Sequence, residues 1–221
     1  MEEYRLSNGV TIPKIGFGTW QIPDGEEVYN SVTHALKVGY RHVDTAQIYR
    51  NEVGVGRAIA DSDLAREDIF LTTKIWNDKH DYDLAKASIE ESLEKLDVDY
   101  VDLLLIHWPN PKAQREQDAW KAGNAATWKA MEEAYRAGKV RAIGVSNFMI
   151  HHLEALLETA DIKPHVNQVL LAPGCTQENL VAFCRQHDIL LEAYSPLGTG
   201  SIFSNPVAQE LAAKYGKSVA Q

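Results

Sequence analysis

Four side chains able to give, take or orient a proton stand at or just beyond the ends of short apolar runs: Asp44, Tyr49, Lys74 and His107. Asp44 closes the run 38–43, and Tyr49 follows that acid by five residues. The run Ile69-Phe70-Leu71-Thr72-Thr73 ends on Lys74, and the run 101–106 ends on His107. Singly, each has a plain structural reading: Asp44 as a helix cap, Lys74 as a solvated strand end, His107 as a satisfied core histidine, Tyr49 as a surface tyrosine. Together they outweigh those readings. In a closed parallel barrel the C-terminal strand ends converge on one face, and that face carries the chemistry.

For these groups to meet, strands and helices must alternate. Tyr4-Arg5-Leu6 and Val10-Thr11-Ile12 flank Ser7-Asn8-Gly9, and Asn-Gly is a strong hairpin signal. The first barrel strand is read at 15–18, ending at Gly18-Thr19-Trp20. Further strands are expected at 38–43, 69–73, 101–106, 140–145, 166–169 and 189–193. Helices are expected at 26–37, 52–60, 83–96, 127–137, 149–159 and 177–186, with a polar insert over 110–123. The 83–96 helix is read as burying Leu84, Ala87, Ser88, Leu93 and Leu96. A last helix starts at Asn205-Pro206, a cap followed by proline, and stops at Gly216.

The strand ends Gly18, Asp44, Lys74, His107, Ser146, Gln168 and Ser195 are separated by 22 to 39 residues. That is the rhythm of βα units of ~30 residues. The fold class is therefore read as α/β, a (β/α)8 TIM barrel with an N-terminal β-hairpin, forming a single domain over residues 1–221. A doubly wound sheet also alternates in this way, but it gathers its site at one switch point rather than on consecutive strands. Seven units are visible and the eighth is missing. Ser218-Val219-Ala220-Gln221 opens another helix with a Ser-x-x-Gln box and the sequence stops inside its first turn, so the expectation is a truncated version of a longer chain. Gly54-Val55-Gly56 lacks the third glycine and the preceding strand of a dinucleotide fingerprint, and is read as helix surface.

Composition narrows the partners. The 221 residues are 45% hydrophobic and 24% charged, with a net charge of −9. An acidic surface disfavours nucleic acid and anionic membrane, though it leaves room for an anionic cofactor at a local positive site. Cys175 and Cys184 do not have a zinc spacing and are read as reduced thiols of a cytoplasmic protein. No run approaches the ~20 apolar residues of a membrane helix, and Met1-Glu2-Glu3-Tyr4-Arg5 lacks the regions of a signal peptide.

Five motifs in order resemble the aldo-keto reductases: Val43-Asp44-Thr45-Ala46-Gln47-Ile48-Tyr49, Lys74, Leu105-Ile106-His107-Trp108-Pro109, Ile143-Gly144-Val145-Ser146-Asn147-Phe148 and Tyr194-Ser195-Pro196-Leu197-Gly198. The likeness is greatest to short bacterial members acting on diketogluconates and small aldehydes. It implies Asp44, Tyr49, Lys74 and His107 as the catalytic tetrad. It implies Gly18, Thr19, Trp20, Asp44, Ser146, Asn147, Gln168, Tyr194, Ser195, Leu197, Gly198 and Thr199 as the cofactor-binding positions. Trp20, Trp76, His107 and Trp108 are implied as substrate-binding, the tryptophans as pocket walls rather than core. No metal is implied. The cofactor inherited from the family is NADPH, with NADH as the alternative, because the cluster that reads the 2′-phosphate lies after strand eight. Phosphate is expected on the 195–199 loop. After strand six the family often has Asn-Gln-x-Glu-x-His-Pro, whereas this chain has Asn167-Gln168-Val169-Leu170-Leu171-Ala172-Pro173, keeping only the amide pair.

On that reading the chain is a monomeric oxidoreductase that takes a small-molecule carbonyl substrate. Hydride transfer to the carbonyl carbon builds charge on oxygen, and Tyr49 donates the proton that meets it. A free tyrosine, with a pKa near ~10, is a poor acid, so Lys74 is expected to lower that value, with Asp44 fixing Lys74 and a neutral His107 orienting the oxygen. Two other readings compete. One is a regulatory module on the same fold that holds cofactor without turnover. The other is a barrel hydrolase using Asp44 as base, which no second paired carboxylate supports.

Overall fold

The computed structural model describes residues 2–221. It opens with an antiparallel hairpin, β1 (Glu3–Arg5) and β2 (Thr11–Pro13), in which Tyr4 lies opposite Ile12. Gly9 takes φ 91° in the turn, a conformation glycine adopts at no steric cost. Seven parallel strands follow: β3 (Phe17–Gly18), β4 (His42–Asp44), β5 (Phe70–Ile75), β6 (Val101–Ile106), β7 (Val140–Ser146), β8 (Val166–Leu170) and β9 (Leu190–Tyr194). They pair strictly in chain order. No strand order reverses, so there is no switch point of the doubly wound kind.

The sheet is curled. Adjacent strands lie ~4.8 Å apart, so a flat sheet would separate β4 from β8 by ~19 Å. Instead, Gln168 on β8 donates its amide hydrogen to Asp44 on β4 at 2.8 Å. Seven strands of the expected eight-stranded barrel are present among the described residues. Seven helices lie outside the sheet: α1 (Glu26–Lys37), α2 (Glu52–Ala60), α3 (Tyr82–Leu96), α4 (Ala119–Arg136), α5 (Ile150–Leu157), α6 (Glu178–Gln186) and α7 (Pro206–Tyr215). None of them is long and apolar enough to cross a membrane.

Alternation along each strand sorts its side chains. Leu71, Ile75, Leu104, Ile106, Ile143 and Val145 face outward and pack with Val32, Ile89, Leu93, Trp128, Met131 and Leu153 from the helices in one buried cluster. Phe70, Leu103, Leu105, Ala142 and Val166 face inward and meet Leu6 and Ile12, so the hairpin plugs the N-terminal end of the barrel with apolar surface. Asn8 ties that plug down by donating to the carbonyl of Arg141 at 2.9 Å. Further along the strands the inward positions turn polar, and the site begins there.

Four sequence expectations need correction. The second barrel strand starts at His42 rather than at 38, because Val38 caps α1 and Gly39 turns the chain at φ 107°. α4 begins at Ala119, eight residues earlier than expected, after 3₁₀ turns at Lys112–Gln114 and Glu116–Asp118. α3 buries Ala85, Ser88, Ile89, Ser92, Leu93 and Leu96, which leaves Leu84 and Ala87 on the exposed flank. Gly54 and Gly56 are buried, not helix surface. A Cβ on Gly56 would overlap the carbonyl of Leu96 at the end of α3, and one on Gly54 would overlap Val28 of α1. These glycines let three helices approach closely.

Alanine in a helix interior is normally favoured over glycine by ~1 kcal/mol. Gly56→Ala should reverse that sign and cost about 2 kcal/mol, because a backbone carbonyl cannot move aside as a side chain can. Urea unfolding of the variant and the parent checks this, and a gain in stability would refute the close approach.

Candidate active site

The polar upper half of the barrel interior is built around Lys74. Its side chain is fully buried on β5, with the ammonium donating to Asp44 Oδ1 and to the carbonyl of Thr45 at 2.9 Å. The second oxygen of Asp44 accepts from Gln168. Burial alone would lower the pKa of Lys74, but Asp44 and Tyr49 outweigh it and hold the ammonium above its ordinary value. A buried cation is tolerated when it is paired in this way.

Tyr49 lies in a 3₁₀ turn at Gln47–Tyr49, just after β4. The Lys74 ammonium is 5.2 Å from its ring centroid, and the His107 ring packs edge-on at 5.7 Å. Burial pushes the Tyr49 hydroxyl above its usual pKa, and the pull of Lys74 does not overcome it. The sequence expectation of a net lowering is therefore corrected, since desolvation of the phenolate is the larger effect. Burial, reinforced by Lys74, pushes His107 down to about 3, so its ring is neutral near pH 7. Trp76 packs against the same ring at 5.1 Å.

One cleft of about 960 Å³ opens over these groups. Trp20, Trp76 and Trp108 line it with Asp44, Tyr49 and His107, and so do Gly18, Ser146, Asn147, Gln168, Tyr194, Ser195 and Thr199. Thr19, Leu197 and Gly198 do not. Thr19 is fully buried, and its backbone N–H donates to the carbonyl of Asp44 at 2.9 Å. Leu197 and Gly198 sit in the loop behind Ser195, where Ser195, Gly198, Thr199 and Gly200 all have positive φ. Asn147 accepts from the Tyr194 hydroxyl at 2.8 Å and donates to the carbonyl of His107 at 3.0 Å, joining one wall of the cleft to its floor.

Several supporting residues carried no separate sequence signal. Gln47 accepts from the Trp76 N–H at 2.9 Å and donates to the Ser88 carbonyl and the Ser92 hydroxyl on α3, both at 3.0 Å. Asn51 donates to the carbonyls of Thr19 and Ile22 and accepts from Thr45, locking the first loop to the start of α2. Apart from the local Thr45–Asn51 bond, their side chains act over 29 to 45 residues of sequence, at distances no motif spacing encodes. His42 and Glu192, discussed below, were missed for the same reason.

The arrangement sets a phenol beside a buried cation and a neutral imidazole, under an aromatic mouth. Comparison with known proteins shows the family. Residues 14–221 match the Aldo/keto reductase family. The chain is 48% identical over 217 residues to the glyoxal reductase of Bacillus subtilis (strain 168), covering 98% of this chain and 75% of that one. It is 43% identical over 219 residues to the methylglyoxal reductase DkgA of Salmonella typhimurium (strain LT2), with 98% and 76% covered. A crystal structure of a Gox0644 mutant in complex with NADPH superimposes with a TM-score of 0.89 at 39% identity, covering 99% of this chain and 76% of that one. The chain belongs to the Aldo/keto reductase family.

The neutral His107 has a consequence for stability. Its ordinary value is 6.5 and its folded value is about 3, so between those pH values the unfolded chain binds a proton that the folded chain refuses. Stability therefore falls as pH falls through that window. His107→Gln removes this contribution. Between pH 8 and pH 5 the parent should lose about 2 kcal/mol more than the variant in urea unfolding; equal losses would mean that His107 titrates normally.

Proposed function

We propose that this aldo/keto reductase reduces small aldehydes and ketones, 2-oxoaldehydes such as glyoxal and methylglyoxal in particular, with NADPH as the hydride donor. The observation that carries the reading is that Tyr49, Asp44 and His107 line one cleft, with the buried Lys74 ammonium paired to Asp44 behind it. The reductases of those dicarbonyls among its relatives supply the substrate class. A small substrate also suits a cleft walled by three indoles.

The cofactor fits the residues present. A nicotinamide ring is flat and carries a carboxamide. Tyr194 offers an aromatic face, and Ser146, Asn147 and Gln168 offer hydroxyl and amide groups, all lining the cleft that holds Tyr49. Trp20 and Gly18 line it from the β3 side. The loop from Ser195 through Leu197 and Gly198 to Thr199 is the candidate phosphate anchor. Thr19 would act from beneath, through its bond to the Asp44 carbonyl. When bound, the cofactor supplies the hydride.

The protein's part is proton transfer and positioning. The neutral imidazole of His107 hydrogen-bonds the carbonyl oxygen and orients it toward Tyr49. Tyr49, kept protonated by its raised pKa, gives its proton to that oxygen as negative charge develops there. The phenolate left behind is stabilised by the Lys74 ammonium, which Asp44 holds in place. Trp20, Trp76 and Trp108 wall the mouth of the cleft around the reacting carbonyl.

Tyr49→Phe removes the proton and leaves the ring. Its kcat for methylglyoxal should fall by ~10²- to 10⁴-fold, while NADPH binding, followed by quenching of tryptophan fluorescence, is retained. Parent-like turnover would remove Tyr49 from this role. Tight NADPH binding by the parent with no turnover of any small aldehyde would instead support a cofactor-holding module.

A further inference from the structure

Beneath the tetrad lies a second set of ionisable groups that the mechanism above does not use. Glu192 projects from β9 into the barrel interior, with its side chain 19% exposed. Its Oε1 is 3.9 Å from His42 Nε2, and its Oε2 is buried without a hydrogen-bond partner among the described residues. The His42 ring is held by Thr72 Oγ1 at 2.9 Å. Gly16 leaves room for that ring, since an added Cβ would stand 2.8 Å from Nδ1. Glu192 pairs in register with Gln168, the residue that donates to Asp44.

His42, Asp44 and Glu192 each offer a ligand atom within 4.8 Å of the others. Yet both Asp44 oxygens are already engaged, one by Lys74 and the other by Gln168, so the trio is suited to hold a proton rather than an ion. The ionisable groups facing Glu192 are few. His42 and Asp44 come from β4, Lys74 from β5, and the neutral Gln168 from β8. Lys14, at the hairpin end of the same cleft, is paired with Glu2 at 2.7 Å. The one buried ammonium is bonded to Asp44, and Glu192 lies near enough to feel its charge without touching it. Burial pushes the Glu192 carboxyl above its ordinary value; His42 opposes that, and Asp44 adds to it.

We propose that Glu192 is a positioning residue of this site: a buried carboxyl whose gain or loss of a proton, relayed through Gln168 and Asp44, sets how much of the Lys74 charge is available to Tyr49. This rests on the reductase reading of the tetrad. With Glu192 protonated, Lys74 answers to Asp44 alone and favours the Tyr49 phenolate. When pH rises, the carboxyl O–H breaks and its proton leaves along the cleft that Glu192 lines. The second negative charge then opposes ionisation of Tyr49 and weakens it as an acid. The direction follows from the sign of the charge.

The test reads Tyr49 directly, in cofactor-free protein. Its ionisation is followed as the tyrosinate absorbance difference between each protein and its Tyr49→Phe counterpart. Glu192→Gln lacks the negative charge that the parent carries at alkaline pH. Its Tyr49 should ionise about one pH unit lower, the shift that one charge at roughly 10 Å gives in a medium of effective dielectric about 20. The alkaline limb of kcat for methylglyoxal should move the same way. Glu192→Asp keeps the charge and should restore parent-like titration, which a role in packing alone would not require. If circular dichroism shows Glu192→Gln to be unfolded, Glu192→Leu is the second neutral variant, with the same shift expected. A neutral variant titrating within about 0.2 unit of the parent overturns the proposal. A parent that reduces no dicarbonyl overturns the reductase reading instead, and the absorbance titration still decides the role of Glu192.

Discussion

One ammonium buried inside a β-barrel governs how the rest of the interior is composed. Lys74 is fully buried, so its charge must be met by Asp44, by a backbone carbonyl and by the amide that holds Asp44 in turn. Those partners come from β4, its following loop and β8, so the set is complete only when the sheet has curled and brought Gln168 to Asp44. A buried ion pair is weak evidence for stability, because the desolvation of two charges offsets most of their attraction. The apolar plug of Leu6 and Ile12 on Phe70, Leu103 and Leu105 supplies the burial that the polar half lacks. Division of labour along each strand, apolar at its start and polar at its end, is how one interior supports both a core and a charged site.

The same division explains what could be read in advance. Strand ends were legible because each apolar run stops on a polar or ionisable residue. Helices at 26–37, 52–60 and 206–215 were legible because composition or caps mark them, as Asn205 does by accepting from the N–H groups of Val207 and Ala208. The misreadings share a cause. Val38 looks strand-like, but tertiary packing gives the turn to Gly39. The turn before α4 uses Gln117 and Asp118 at positive φ, residues that carry no turn signal as strong as glycine or proline. Gly54 and Gly56 look like idle helix glycines until their neighbours α1 and α3 are in place.

Within the site, residue types were easier to read than their electrostatics. The four groups stood out by their places at or just beyond strand ends, and their roles came from the family resemblance. The net effect on Tyr49 was not, because it depends on how much solvent the barrel removes rather than on which neighbours it supplies. Glu192 and His42 lie 150 residues apart in the sequence and meet only across the curl of the sheet. No local pattern announces such a pair.

Gln47 gives the turn carrying Tyr49 a property that its loop position would not suggest. Loops usually hold functional groups loosely, and ordering a residue costs on the order of 1–2 kcal/mol of backbone entropy. Here one side-chain amide commits both of its N–H donors to two groups of α3 and its oxygen to the Trp76 backbone. The phenol is thus preorganised: its placement is settled when the chain folds, not when a substrate arrives. Binding free energy from even a very small molecule is then free to act on the reacting carbonyl instead of on assembling the loop beside it.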